Sequence, residues 1–260
     1  MHPVLLALGP FHLNGYGAMI ALGGILSFWF LHGRMAKVGL KSDDDFWILV
    51  NVILLSGFGG GRILFLLEYT RPFSRDFWEN LISLSHGFSV LGGFVSVPLA
   101  LWLFARWRKI SFLRPFDTVC VMAPLAHVFG RFGCLLAGCC HGRPTDEPWG
   151  IVFRDPRSQV PSVWLGAPLH PTQLYEAFGN AVIAAGLYRL LKRTESGRPG
   201  LVAAAYFASY GVLRFFEEFY RGDTVPLGFL GLTAGQGLGV GLVAFSFAFL
   251  AWRSACIRRS

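Results

Sequence analysis

The sequence predicts an all-α, polytopic membrane protein with about seven transmembrane helices. Three observations carry that prediction. Hydrophobic residues make up 53% of the 260 residues and charged residues only 15%, with mean hydropathy +0.50; globular chains in water carry charge on about a quarter of their residues. The apolar residues come in long blocks, several of them near the roughly 20 residues a spanning helix needs. Lys and Arg, which give a net charge of +8, collect between alternate blocks. That pattern fits cytoplasmic loops facing anionic headgroups. No nucleic-acid-reading motif accompanies the charge, so no nucleic-acid partner is expected.

The expected spans lie near 14–33, 46–67, 87–105, 116–137, 172–191, 200–220 and 233–252. With the N-terminus outside, the inner connections and tail hold 14 Lys and Arg, including Arg258 and Arg259, and the outer ones hold 6. The bias predicts N-out, C-in. The chain reads as one transmembrane domain over 1–260, with an outer loop or cap at about 138–171 that is rich in Pro, Gly and charge. No cleavable signal peptide is expected, because residues 1–13 lack a basic start and no A-x-A site follows the first apolar run.

Three arginines remain inside or at the edge of apolar segments: Arg62, Arg131 and Arg214. Each costs about 2.5–3.5 kcal/mol on insertion scales, which points to a water-filled or anionic cavity. Arg62 follows 57-GFGGG-61, where a headgroup or a second helix can approach the backbone. In 209-SYGVLRFFEEFYRGD-223, Tyr210, Arg214 and Glu218 are spaced by four and share one helix face; Glu217 is expected to face elsewhere. Guanidinium forks match phosphate oxygens, so Arg131 and Arg214 read as a phosphate clamp. A structural ion pair that locks helix packing fits the same spacing. In 170-HPTQLYE-176, Pro171 suits a first helical turn. His170, Gln173 and Glu176 then gather at one end, or simply cap the helix. Tyr16, between glycines in 12-HLNGYGAMI-20, sits at a helix start.

Five cysteines, Cys120, Cys134, Cys139, Cys140 and Cys256, show no disulfide-like spacing. Adjacent Cys139 and Cys140 followed by His141 match zinc spacing poorly, so no metal site is expected. A thiol relay is open, because a thiolate near Arg131 or His141 is more reactive. So is a bland lining of small residues. The stretch 136-LAGC-139 resembles a lipoprotein cleavage motif, but it follows four expected spans.

Together these pieces resemble the prolipoprotein diacylglyceryl transferase family over most of the chain. The resemblance rests on Tyr16-Gly17, 60-GGR-62, 92-GG-93, 130-GR-131, 170-HPTQLYE-176, the Tyr210/Arg214/Glu218 spacing and Gln236 in 233-TAGQ-236. It implies helices around a central lipid cavity in the bacterial inner membrane. It also implies transfer of diacylglyceryl from phosphatidylglycerol, or a related anionic phospholipid, to the lipobox cysteine of a prolipoprotein signal peptide. A thioether forms and glycerol 1-phosphate leaves, with no cofactor. On that resemblance Arg131, Arg214, Glu218 and Tyr210 are the catalytic candidates. Tyr16, Arg62, Gly130, His170, Gln173, Tyr175 and Glu176 are the substrate-binding candidates.

The chain departs from the family pattern G-R-x-G-N-F-x-N-x-E-x-x-G. Cys134 stands for the first Asn, Leu135 for Phe, Ala137 for the second Asn and Cys139 for Glu; Leu91 stands where the family has His before the glycine pair. Three readings follow. One is a divergent transferase whose base is His141, His86 or no side chain. Another is a paralogue that acts on a different lipid or acceptor through Cys139/Cys140, with Cys134 or His141 in a thiol or base role. The last is a phospholipid-binding membrane protein without turnover.

Overall fold

The structure is a computed structural model that describes residues 4–8, 11–72, 74–82, 87–194, 197–227 and 231–257. His86, Arg258 and Arg259 lie outside the described residues. The chain is mostly helical. A helix lies over each of the seven expected ranges: α1 (Gly15–His32), α3 (Asp43–Tyr69), α5 (Val90–Arg108), α6 (Leu113–Ala137), α7 (Thr172–Thr194), α8 (Leu201–Glu217) and α9 (Ala234–Ile257). Two short helices, α2 (Met35–Val38) and α4 (Arg75–Ile82), stand between them. Among the described residues, α1, α3, α6 and α9 are long and apolar enough to cross a membrane. α8 is only 17 residues long. α7 is diluted by Thr172, Gln173, Glu176 and Asn180, all buried, and these residues turn out to build the site.

Strands appear where an all-α chain was expected, but they are short. β1 (Val4–Leu8) pairs antiparallel with β2 (Phe11–Asn14) on either side of Gly9-Pro10, a dipeptide that favours turns. β3 (Ile151–Val152) pairs with β4 (Pro168–Leu169), and β5 (Pro226–Leu227) with β6 (Leu232–Thr233). The 138–171 loop has a core of its own, in which Phe153, Val160 and Leu169 are buried under Trp164 and Leu165.

The chain forms two compact units. The second, His32–Phe116, is built on α3 and α5. Ser42 caps α3 by accepting from the Asp45 amide at 3.2 Å, and Asp43–Asp45 complement the positive helix end. Asp45 also pairs with Arg108 at 2.7 Å. The two helices cross backbone to backbone at the glycines: a Cβ on Gly92 would lie 2.6 Å from the Gly60 carbonyl carbon and 2.7 Å from Gly61 Cα. The Ser96 hydroxyl donates to the Ser56 carbonyl at 2.7 Å beside that crossing. Small residues thus serve helix packing here.

The first unit, residues 1–31 and 117–260, carries α7, α8 and α9 together with most of α1 and α6. Gly211 and Gly239 let α8 and α9 meet, since a Cβ on either would approach the other's carbonyl oxygen to 2.6 Å. α1 lies against α6 at Gly133, where a Cβ would meet Tyr16 Cα and O at 3.2 Å. Buried Asp117 of α6 accepts from the Gly200 and Ala203 amides at 2.6 and 2.9 Å, so α6 caps the start of α8. Thr233 and Gln236 cap α9 reciprocally, each side chain accepting from the other's amide at 3.2 and 3.1 Å.

Candidate functional site

α7 opens directly after the Pro171 carbonyl, which accepts from the Leu174 and Tyr175 amides at 2.9 and 3.0 Å. Thr172, Gln173, Glu176 and Asn180 then fall on one helical face, and all four are wholly buried. Burial of so many polar side chains holds only if each finds partners. Glu176 is the hub. Its Oε2 lies 2.7 Å from Arg131 Nη2 of α6 and 3.8 Å from Arg214 Nη1 of α8. Its Oε1 accepts from the Tyr210 hydroxyl at 3.5 Å.

Arg214 is held more tightly. Its Nη2 pairs with Glu218 at 2.7 Å and its Nη1 with Glu217. Gly235 of α9 packs on this group; a Cβ there would lie 2.7 Å from Arg214 Nη2. The expectation that Glu217 faces elsewhere is overturned. Positions three and four beyond Arg214 flank the same stripe, and both carboxylates are buried against the guanidinium. Arg221 extends the network, with Nη1 3.6 Å from Glu217 and Nη2 2.7 Å from Asp223. The Tyr210 ring packs between those of His127, at 5.3 Å, and Tyr206, at 5.8 Å. Arg131 has only the Glu176 carboxylate as an ion-pair partner among the described residues, and its buried Nε has no hydrogen-bond partner there.

The cysteine segment is stitched in by its backbone. Gly142 donates to the His170 carbonyl at 3.1 Å, Arg143 to Tyr220 at 3.0 Å, His170 to Arg143 at 3.0 Å and Gly222 to His141 at 3.0 Å. Gly142 and Gly222 permit the approach, since a Cβ on Gly222 would lie 2.7 Å from the Gly142 oxygen. Thr172 and Gln173 then donate to the carbonyls of Cys140 and Cys139, at 2.8 Å each. Hydrogen bonds from the Cys134 and Cys139 thiols, ahead of the Arg131 and Arg221 charges, hold the Cys140 thiol well below the ordinary thiol range. The bonds to Cys134 and Cys140 push Cys139 up.

The structure therefore brings Arg131, Gln173, Glu176, Tyr210, Arg214 and Glu218 together with the cysteine segment. His170 and Tyr175 lie at its edge in an aromatic group: Tyr175 accepts from Trp149 Nε1 at 2.7 Å, and its hydroxyl is 3.3 Å from His170 Nδ1. His141 is buried, with Nδ1 3.1 Å from the Gly142 carbonyl and its ring edge-on to Trp164. Gly130 lies on α6, where a built Cβ would meet only Ile20 of α1, at 3.7 Å, an ordinary contact, so the close approach of α1 and α6 rests on Gly133 and not on Gly130. Arg62 belongs to the second unit, where it donates to the Gly87 carbonyl at 3.0 Å and to that of Asn80, between the rings of Phe65 and Phe88. Leu91 is also in that unit and exposed. Sequence reasoning missed Glu217, Arg221 and His127. A signal for His127 existed, since it stands four residues before Arg131 on one helix face.

A family model described as prolipoprotein diacylglyceryl transferase matches residues 3–252. Three relatives carry the name phosphatidylglycerol--prolipoprotein diacylglyceryl transferase. That of Clostridium tetani is 34% identical over 86% of this chain and 86% of its own length. That of Azospirillum brasilense is 35% identical over 99% and 94%, and that of Solidesulfovibrio magneticus 34% over 97% and 94%.

Proposed function

The chain belongs to the prolipoprotein diacylglyceryl transferase family, and from that premise we propose that it transfers a diacylglyceryl group from phosphatidylglycerol to a prolipoprotein cysteine. The sulfur attacks the glycerol carbon that bears the phosphate ester. A C–S bond forms, the C–O bond breaks, and its electron pair departs with glycerol 1-phosphate. The thiol reacts as its thiolate. The demand on the protein is to receive developing negative charge on the leaving phosphate.

One observation carries this reading. Arg131 lies beside Glu176 with its side chain 11% exposed, and its buried Nε–H has no hydrogen-bond partner among the described residues. That edge is left to turn to a phosphate oxygen while Glu176 balances the charge at Nη2. Arg214 is gripped through both terminal nitrogens, Nη1 by Glu217 and Nη2 by Glu218. Its role is to position Glu176 and Tyr210 and so, through Glu176, Arg131. The two arginines are therefore not an equal clamp. Tyr175 and His170 stand at the edge of the site, buried Gln173 holds the Cys139 carbonyl, and Tyr16 lies where α1 meets α6. We place the chain in the bacterial inner membrane with seven spans, N-terminus out, and the 138–171 loop on the outer face. Alternating Lys and Arg density supports that orientation.

The test is direct. Purified chain with phosphatidylglycerol vesicles and a lipobox peptide should yield the thioether peptide and glycerol 1-phosphate by mass spectrometry. No product with an intact, folded chain would overturn the assignment. Activity should survive Cys139→Ser. Its loss there would favour a cysteine-borne acceptor instead.

A further inference from the structure

We propose that Cys134, Cys139 and Cys140 form a three-thiolate site for a soft, thiophilic cation of the monovalent copper class. Their sulfur atoms all lie within 4.8 Å of one another. A metal–sulfur bond of about 2.3 Å in a trigonal site places sulfurs roughly 4 Å apart, so little movement is needed for a metal to bind. All three are free thiols, with Cys134 buried and the pair half-buried.

The spacing C-x₄-C-C hides this arrangement because the chain reverses within it. α6 ends at Ala137, and the Gly138 and Cys139 amides both return to the Cys134 carbonyl, at 2.8 and 3.2 Å. Gly138 takes φ +79° and Cys140 φ +56°, both left-handed. A non-glycine residue pays for that conformation, so it persists only where neighbours enforce it. Here Thr172 and Gln173 enforce it by holding the carbonyls of Cys140 and Cys139. The two cysteines thus fold back over Cys134 and are fixed from an independent helix.

The donor set selects the ion. Three sulfurs, with no imidazole or carboxylate grouped with them among the described residues, favour soft cations. Zinc sites want four ligands, and His141, next in sequence, is not among the grouped donors: its Nδ1 meets the Gly142 carbonyl and its ring stands edge-on to Trp164. The guanidiniums of Arg131 and Arg221 act on Cys140 and offset the negative charge of a thiolate cluster.

The experiment uses reduced, full-length chain in detergent under nitrogen, titrated with Cu(I) as its acetonitrile complex. One equivalent should bind and produce thiolate-to-metal ultraviolet absorption. Cu(I) should also shield Cys134, Cys139 and Cys140, but not Cys120 or Cys256, from maleimide labelling read by peptide mass spectrometry. The labelling arm needs only the unmutated chain, so a misfolded variant cannot obscure it. Cys134→Ser with Cys140→Ser should remove the absorption; Cys120→Ser with Cys256→Ser should keep it. Equal labelling with and without Cu(I), or Zn(II) competing on equal terms, would overturn the proposal. Binding is read without any transfer assay, so this outcome stands apart from that of the proposed reaction.

Discussion

Arg131 Nη2 and Glu176 Oε2 stand 2.7 Å apart, joining the end of α6 to the start of α7, and the carboxylate has no solvent exposure. Removing one member of such a buried pair leaves an unpaired charge and costs about 3–5 kcal/mol. Glu176→Ala should therefore cost more stability than an exposed change such as Arg157→Ala, whose pair with Asp155 lies at the surface. Thermal unfolding in detergent, followed by tryptophan fluorescence, reads the difference. Equal midpoints would contradict a buried pair.

Arg131 and Arg214 should fail differently. Arg131→Lys keeps the charge but loses the planar fork, so transfer should fall by roughly tenfold to a hundredfold, the value of a charge-assisted hydrogen bond of about 1.5–3 kcal/mol. Stability should change little. Arg214→Lys breaks a grip shared by Glu217 and Glu218, and its unfolding midpoint should fall below that of Arg131→Lys. Parallel kinetics and melting of both variants check this ordering.

Adjacent glycines on α5 should give opposite results. A methyl group on Gly92 would run into the backbone of Gly60 and Gly61, whereas one on Gly93 would find only the Gly57 oxygen at 4.0 Å. Gly92→Ala should destabilise by about 1–3 kcal/mol or more through overpacking. Gly93→Ala should be tolerated. Yield of folded protein and its melting midpoint report the contrast.

Asp117 should matter through the start of α8. It accepts from two amides at the start of that helix. Loss of an N-cap acceptor costs about 0.5–2 kcal/mol, so Asp117→Ala should lower stability by that order. The Michaelis constant for phosphatidylglycerol should not move.

Arg62 is tied to carbonyls of the second unit. Arg62→Ala should expose Asn80 and Gly87 to faster amide exchange and leave lipid affinity unchanged. A rise in the Michaelis constant without loss of folding would instead make Arg62 a lipid contact.

The polar face of α7 and the Tyr210–Arg214–Glu218 stripe were legible because helical spacing alone puts those residues side by side. Glu217 was misjudged because the four-residue spacing was favoured over the equally good three-residue one. Arg221 looked like a loop charge. Its burial depends on the backbone pairing of Gly142 with Arg221, which joins segments far apart in sequence. The gathering of Cys134 with Cys139 and Cys140 depends on two left-handed residues, one of them not glycine, and no local pattern announces the second. Among the described residues four helices pass on length and apolarity, and the polar residues of α7 count against it.

The segment 141–143 is anchored by main-chain hydrogen bonds to both His170 and Tyr220–Gly222. Those bonds are indifferent to side-chain identity except at the glycines. The path of the chain through the site is thus inherited separately from the groups it displays. Changes to the side chains of His141 or Arg143 should therefore leave the course of the chain as it is, whereas a side chain at Gly142 would break it.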